Sequence, residues 1–79
     1  MMVDLLQYIL EERLRQDKKW GEQDHGDLYW LAILTEEQGE LAREIIENGP
    51  NIKKELVQVA AVAVAWLEAL QRRYGDDTG

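Results

Sequence analysis

The sequence predicts an all-α protein whose short antiparallel helices complete a four-helix-type bundle by homo-oligomerisation. Three observations carry that expectation. Three proline-free segments are separated by two compact breaks, Gly21 to Gly26 and Asn48-Gly49-Pro50. No stretch alternates apolar and polar residues with the period of two that a half-buried strand needs, and Phe is absent. The third segment is apolar nearly all round, and such a helix must be covered on most sides.

The first helix is expected over about residues 2–19, where Met2, Leu5, Leu6, Ile9 and Leu10 recur at helical spacing. The stretch from Glu11 to Lys19 is almost wholly charged and reads as a solvated extension. The second helix runs from about Leu28 to Glu47 behind Asp27, a residue type that caps helix N-termini. Its apolar stripe is Trp30, Leu31, Leu34, Leu41, Ala42 and Ile45, with an acidic face opposite. Asn48 or Gly49 suits the left-handed position after the helix, and Pro50 prevents continuation.

Asn51 then caps a third helix reaching about Tyr74. From Leu56 to Leu70 only Gln58 and Glu68 are polar. Ala60, Ala61, Ala63, Ala65 and Ala69 let neighbouring backbones come close. Two amphipathic helices from one short chain cannot wrap such a helix, so a homodimer or homotetramer is expected. Trp30 and Trp66 are assigned to the core. Residues 1–75 form a single helical domain, and 76–79 a flexible polar tail.

Composition narrows the function. A chain of 79 residues is one domain at most. The net charge of −7 argues against binding a nucleic-acid polymer or an anionic membrane surface, both of which attract clustered Lys and Arg. With no cysteine, a disulfide scaffold, a thiolate metal site and a cysteine nucleophile are excluded. The longest apolar run, Val59 to Leu67, falls far short of the roughly 20 residues of a membrane span. The opening MMVDLLQYILEER includes Asp4 and no small-residue cleavage site, so no secretory leader and a cytoplasmic location are expected.

The acidic excess is concentrated: residues 36–47 hold five Glu against one Arg. Glu37 and Glu40 are three apart and share a helix face, and Glu44 extends that line by a turn. Glu37 borders the apolar stripe between Leu34 and Leu41, so partial burial is expected, whereas Glu36 and Glu47 read as solvated. Folding the second and third helices back about Gly49 sets positions adding to about 99 opposite each other. Glu44 then faces Glu55, and Glu40 faces Gln58 or Val59. Glu55 and Gln58 mark the only polar notch at the head of an apolar helix. Oxygen ligands converging from two helices suit a hard divalent cation. No His lies within the cluster, which weakens a zinc or di-iron reading.

The loop Lys18 to Gly26 is the second dense region. An exposed aromatic, Trp20, beside lysines, His25 and amide groups has the means to stack a base and read its edge. Trp20 reads about equally as a lid on the core, and His25 as a surface residue or a loop-stabilising hydrogen bonder. Lys53 and Lys54 sit in the first turn of the third helix, where the dipole disfavours cations. Their placement hints at an anionic ligand near Glu55.

The runs Lys19-Trp20-Gly21-Glu22-Gln23-Asp24-His25, Leu34-Thr35-Glu36-Glu37-Gln38-Gly39-Glu40-Leu41-Ala42 and Lys54-Glu55-Leu56-Val57-Gln58-Val59 follow one another in an order that resembles a known family. The family is the MazG-like all-α nucleoside triphosphate pyrophosphohydrolases, related to the dimeric dUTPases and dCTP pyrophosphatases. The resemblance covers about residues 8–70. Its signature is a Glu-x-x-Glu pair followed, after a variable gap, by Glu-x-x-Asp. Glu37 and Glu40 match the first pair; the second begins at Glu55 and ends in Gln58 instead of Asp.

The resemblance implies an Mg²⁺-dependent enzyme, with Mn²⁺ the alternative cation, that converts an NTP or dNTP to the monophosphate and pyrophosphate. It assigns catalysis to Glu37, Glu40 and Glu55. The cation falls to these three and Gln58, with Glu44 a further candidate. Trp20 and His25 occupy the loop that contacts the base, with Lys19, Lys53 and Lys54 added as substrate-binding cations. A neutral amide at Gln58 can still ligate Mg²⁺ but removes a charge and any general-base capacity. A non-catalytic nucleotide-binding protein or a structural helical oligomer is therefore the alternative.

Overall fold

The computed structural model describes residues 1–75 as three helices, α1 (Met2–Trp20), α2 (Asp27–Ile46) and α3 (Ile52–Tyr74), with no strand among the described residues. The all-α class and the limits of each helix agree with the sequence to within about two residues. The expected polar tail lies outside the described residues. None of the described helices is long and apolar enough to cross a membrane.

α3 is the central element. α1 and α2 each pack along it and not against one another, which leaves a cleft between them. The core is small: Trp30 of α2 is 2% exposed and lies on Val62, Ala65 and Ala69 of α3, with Ile33, Leu34 and Trp66 packed around it. The alanines of α3 give the indole room to lie close to the helix, large against small. Trp66 is only half-buried, a correction to its assignment as core. Its indole N–H reaches the edge of the core and donates to Asp27 Oδ1 at 3.0 Å. Asp27 is thus the first residue of α2 and an acceptor for α3, while Gly26 holds the capping position.

Two further expectations are corrected. Leu31, Ala42 and Ile45 of the predicted stripe are exposed, because α2 turns Trp30, Ile33, Leu34, Glu37 and Leu41 towards α3. In α1 most of the charged half is exposed as expected, but the contact with α3 is made differently, with Ile9 alone of the apolar set half-buried. Met2, Leu5, Leu6 and Leu10 are exposed, whereas Glu12, Arg13 and Gln16 from the charged half are half-buried. Arg13 is the reason: its guanidinium donates to Glu68 of α3 at 2.7 Å and to Asp17 and Gln16 of its own helix at 2.8 and 3.0 Å.

The hairpin between α2 and α3 turns as expected on a left-handed Asn48, with φ of 55°. Asn51 begins α3 without a side-chain cap; instead the Glu44 carboxylate accepts the Asn51 N–H at 2.8 Å. That carboxylate passes so close to Gly49 that a Cβ there would push the Glu44 side chain aside and disturb its bond to Asn51. Turning back this far slides α3 against α2. Trp66 meets Asp27, Glu55 meets Glu37 and Asn51 meets Glu44, so facing numbers add to 92–95 and not about 99.

The single chain is open. Its radius of gyration is 13.5 Å, against about 11.6 Å from the size scaling of compact domains. Its accessible surface is 6125 Å², against about 4,900 Å² for a folded monomer of this mass.

Candidate metal centre and adjoining cleft

Glu37 and Glu40 lie three residues apart on α2, and Glu55 stands in the first turn of α3, where the helix dipole favours an anion. The hairpin register brings one carboxylate oxygen of each within 4.8 Å of the other two. Glu37 and Glu55 are half-buried, and Glu40 is exposed. The Oε2 atoms of Glu37 and Glu55 are buried with no hydrogen-bond partner among the described residues. Burial and, after it, the charges of Glu40 and Glu55 hold the Glu37 carboxyl above its usual range.

Three carboxylates facing one another without a compensating cation are unfavourable in isolation. Two orphaned buried oxygens add to that cost. The donor set is all oxygen, borne on two helices, and fits a hard divalent cation such as Mg²⁺. Glu44, a further ligand candidate, is occupied with the Asn51 N–H and is not part of the triad.

Gln58 joins Glu37 in the wall of a cleft of about 470 Å³ between α1 and α2, floored by Val62 and Ala65 of α3. The opposite end of that cleft holds Trp20, His25, Tyr29 and Trp30. The His25 ring lies 4.3 Å from that of Tyr29 and 5.0 Å from that of Trp30, centroid to centroid. Trp20 is 61% exposed and is therefore no lid on the core. Lys19 lines the cleft and places its Nζ 4.8 Å from the Trp20 ring.

The loop carrying His25 is anchored from α3. Arg72 donates to the Gln23 carbonyl at 2.8 Å and Arg73 to the His25 carbonyl at 2.9 Å. Both arginines sit in the last turn of α3, where cations suit the dipole.

Lys53 and Lys54 are not brought to this cleft. They line a neighbouring groove with Tyr8 and Val57, and Lys53 Nζ sits 4.3 Å from the Tyr8 ring centre. The residues that sequence reasoning missed are Glu12, Arg15 and Tyr29, all in the cleft wall. Glu12, Arg15 and Lys19 are spaced three and four apart, so they form one stripe on α1, a pattern readable from sequence. Comparison with protein-family models, with curated proteins and with solved structures gives no match to this chain.

Proposed function

We propose that the protein is an Mg²⁺-dependent nucleotide pyrophosphohydrolase that converts an NTP or dNTP to the monophosphate and pyrophosphate, working as a homo-oligomer. The observation that supports it most is the Glu37, Glu40 and Glu55 triad with two unpartnered buried oxygens. The triad opens beside a cleft whose far end is aromatic. The MazG-like pattern of the same three glutamates points the same way. A bound Mg²⁺ supplies charge neutralisation at the phosphates and a more acidic water.

The chain's own residues supply the rest. Glu37, Glu40 and Glu55 hold the cation from rigid helices. Gln58 lines the same cleft and, as an amide, accepts no proton, so proton transfer falls to a carboxylate. Trp20 from the end of α1, His25 from the anchored loop and Tyr29 from α2 present ring faces to a base. The expected result is pyrophosphate release from at least one member of a panel of common and damaged nucleotides. It should require Mg²⁺ and fall roughly 10²–10³-fold in Glu40→Gln, as for loss of one preorganised electrostatic group. A panel without any Mg²⁺-dependent pyrophosphate ends the enzyme reading. Gln58 favours a second reading, a nucleotide-binding protein without turnover; calorimetric binding in the absence of hydrolysis identifies it.

Oligomerisation is supported by the surplus surface. The excess over a folded monomer is about 1,200 Å², more than the roughly 800 Å² per partner of a standard interface. Ile52, Leu56 and Leu67 form an exposed apolar line on α3, and Leu5, Leu6 and Leu10 another on α1. Sedimentation should give a dimer or tetramer whose melting temperature rises with protein concentration. A monomer with a concentration-independent melt removes this part of the proposal.

A further inference from the structure

Most of the cations near the cleft already have partners. Arg13 is committed to Glu68 and Asp17, and Arg72 and Arg73 to the 21–26 loop. Lys53 lies over Tyr8 in the neighbouring groove. The basic groups left in the cleft wall are Arg15 and Lys19 of α1. Lys19 stands at the aromatic end, over Trp20. Arg15 stands one turn of α1 closer to Glu12, whose charge is felt at Glu37.

Arg15 is held in a particular way. Its Nε and Nη2 donate to the two oxygens of Glu12 at 3.0 and 2.6 Å, a bidentate pair within one helix. The Arg15 side chain is 54% exposed while that of Glu12 is 13% exposed. The guanidinium is thus aimed by a fixed carboxylate but remains open to solvent on its other edge. It has further N–H donors to give, and a planar fork matches phosphate oxygens as well as carboxylate oxygens.

We infer that Arg15 is the residue that contacts the phosphates of the ligand in this cleft, with Glu12 as the positioning residue that holds its guanidinium ready. The inference rests on the reading of the cleft as a nucleotide site. It assigns the phosphates to the stretch between the Glu triad and the aromatic end, beneath α1. It also gives a reason for a mostly buried Glu12 on a helix face that a purely solvated extension would not need.

The test is calorimetric titration of the full chain with inorganic tripolyphosphate in the presence of Mg²⁺. Arg15→Gln should weaken binding at least tenfold, and Arg15→Lys should weaken it less, since a lysine keeps the charge without the fork. Because Arg15→Gln leaves Glu12 without its cation, the double variant Glu12→Gln/Arg15→Gln serves as the folding-safe version and should show the same loss. Lys18→Gln, on the same helix and away from the cleft, should bind as the unsubstituted chain does. Unchanged tripolyphosphate affinity in the Arg15 variants overturns the inference. If the unsubstituted chain still releases pyrophosphate from a nucleotide, the enzyme reading stands without it. A chain that neither binds tripolyphosphate nor hydrolyses any nucleotide overturns both.

Discussion

In the metal-free protein, Glu37→Gln is expected to raise the melting temperature and, in the same molecule, to remove most of the stabilisation that Mg²⁺ provides. The Glu37 carboxyl is held above its ordinary value of 4.5 first by burial and then by Glu40 and Glu55. Its charge therefore costs the folded state at neutral pH, and an amide of the same shape relieves that cost. Like charges at such spacing cost about 0.2–0.5 kcal/mol each. A gain of about 0.5–1 kcal/mol corresponds to roughly 2–8 °C in a chain of this size.

The pH dependence has a definite sign. An acid whose folded value is raised is destabilising above that value, and the cost disappears as pH falls through it. Glu12 behaves oppositely: its hydrogen bond and charge pairing with Arg15 lower its value, so its stabilisation is lost only at more acidic pH. Mild acidification from neutrality should thus first stabilise the metal-free protein, and Glu37→Gln should flatten that rise. Scanning calorimetry in EDTA and in Mg²⁺, across pH, measures all three effects. A lower melting temperature in EDTA would mean that the carboxylate is held by favourable contacts; an intact Mg²⁺ response would remove Glu37 from the site.

The largest loss of stability is expected from Trp30→Ala. Trp30 is the largest fully buried side chain, and the rest of the buried core is Ala61, Val62, Ala65 and Ala69. Small residues on a rigid helix cannot collapse into the space an indole leaves, so the cost belongs in the range of about 3–5 kcal/mol for large-to-Ala changes. Total stability at roughly 0.05–0.15 kcal/mol per residue gives this chain only about 4–12 kcal/mol. Loss of a cooperative melt, or a fall of many degrees, is the expected readout. Trp30→Phe should be far milder, because the indole N–H finds no acceptor among the described residues and nothing is lost with it. A small effect of Trp30→Ala would show that the core lies elsewhere.

The helices were legible because their breaks are local: Gly21 to Gly26 and Asn48-Gly49-Pro50 stop the chain whatever surrounds it. Glu37 and Glu40 were legible because three-residue spacing on a helix is also local; Glu55 joined them through the resemblance to the family pattern, since the expected hairpin register set it opposite Glu44. What depended on packing was not. Which side of α2 faces α3 is decided by where the Trp30 indole fits against alanines, so Leu31, Ala42 and Ile45 were placed inward by periodicity and lie outward. The hairpin register is seen in contacts between helices, Glu44 with the Asn51 N–H and Trp66 with Asp27, that no local pattern reveals. The charged half of α1 looked solvated because nothing local reveals that Arg13 meets Glu68, 55 residues further on.

The anchoring of the 21–26 loop has a consequence for how this scaffold can change. Arg72 and Arg73 grip main-chain carbonyls, of Gln23 and His25, and a carbonyl is present whatever residue stands there. The ion pairs of the same arginines with Glu22 and Asp24 are long, at 3.5 Å, and exposed. The loop's position is therefore largely independent of its side chains. Mutation can exchange the side chains that the loop itself sends into the cleft, Gln23 and His25, without dislodging the segment that presents them. Recognition at that end can drift while the carboxylate triad, on separate helices, stays where it is.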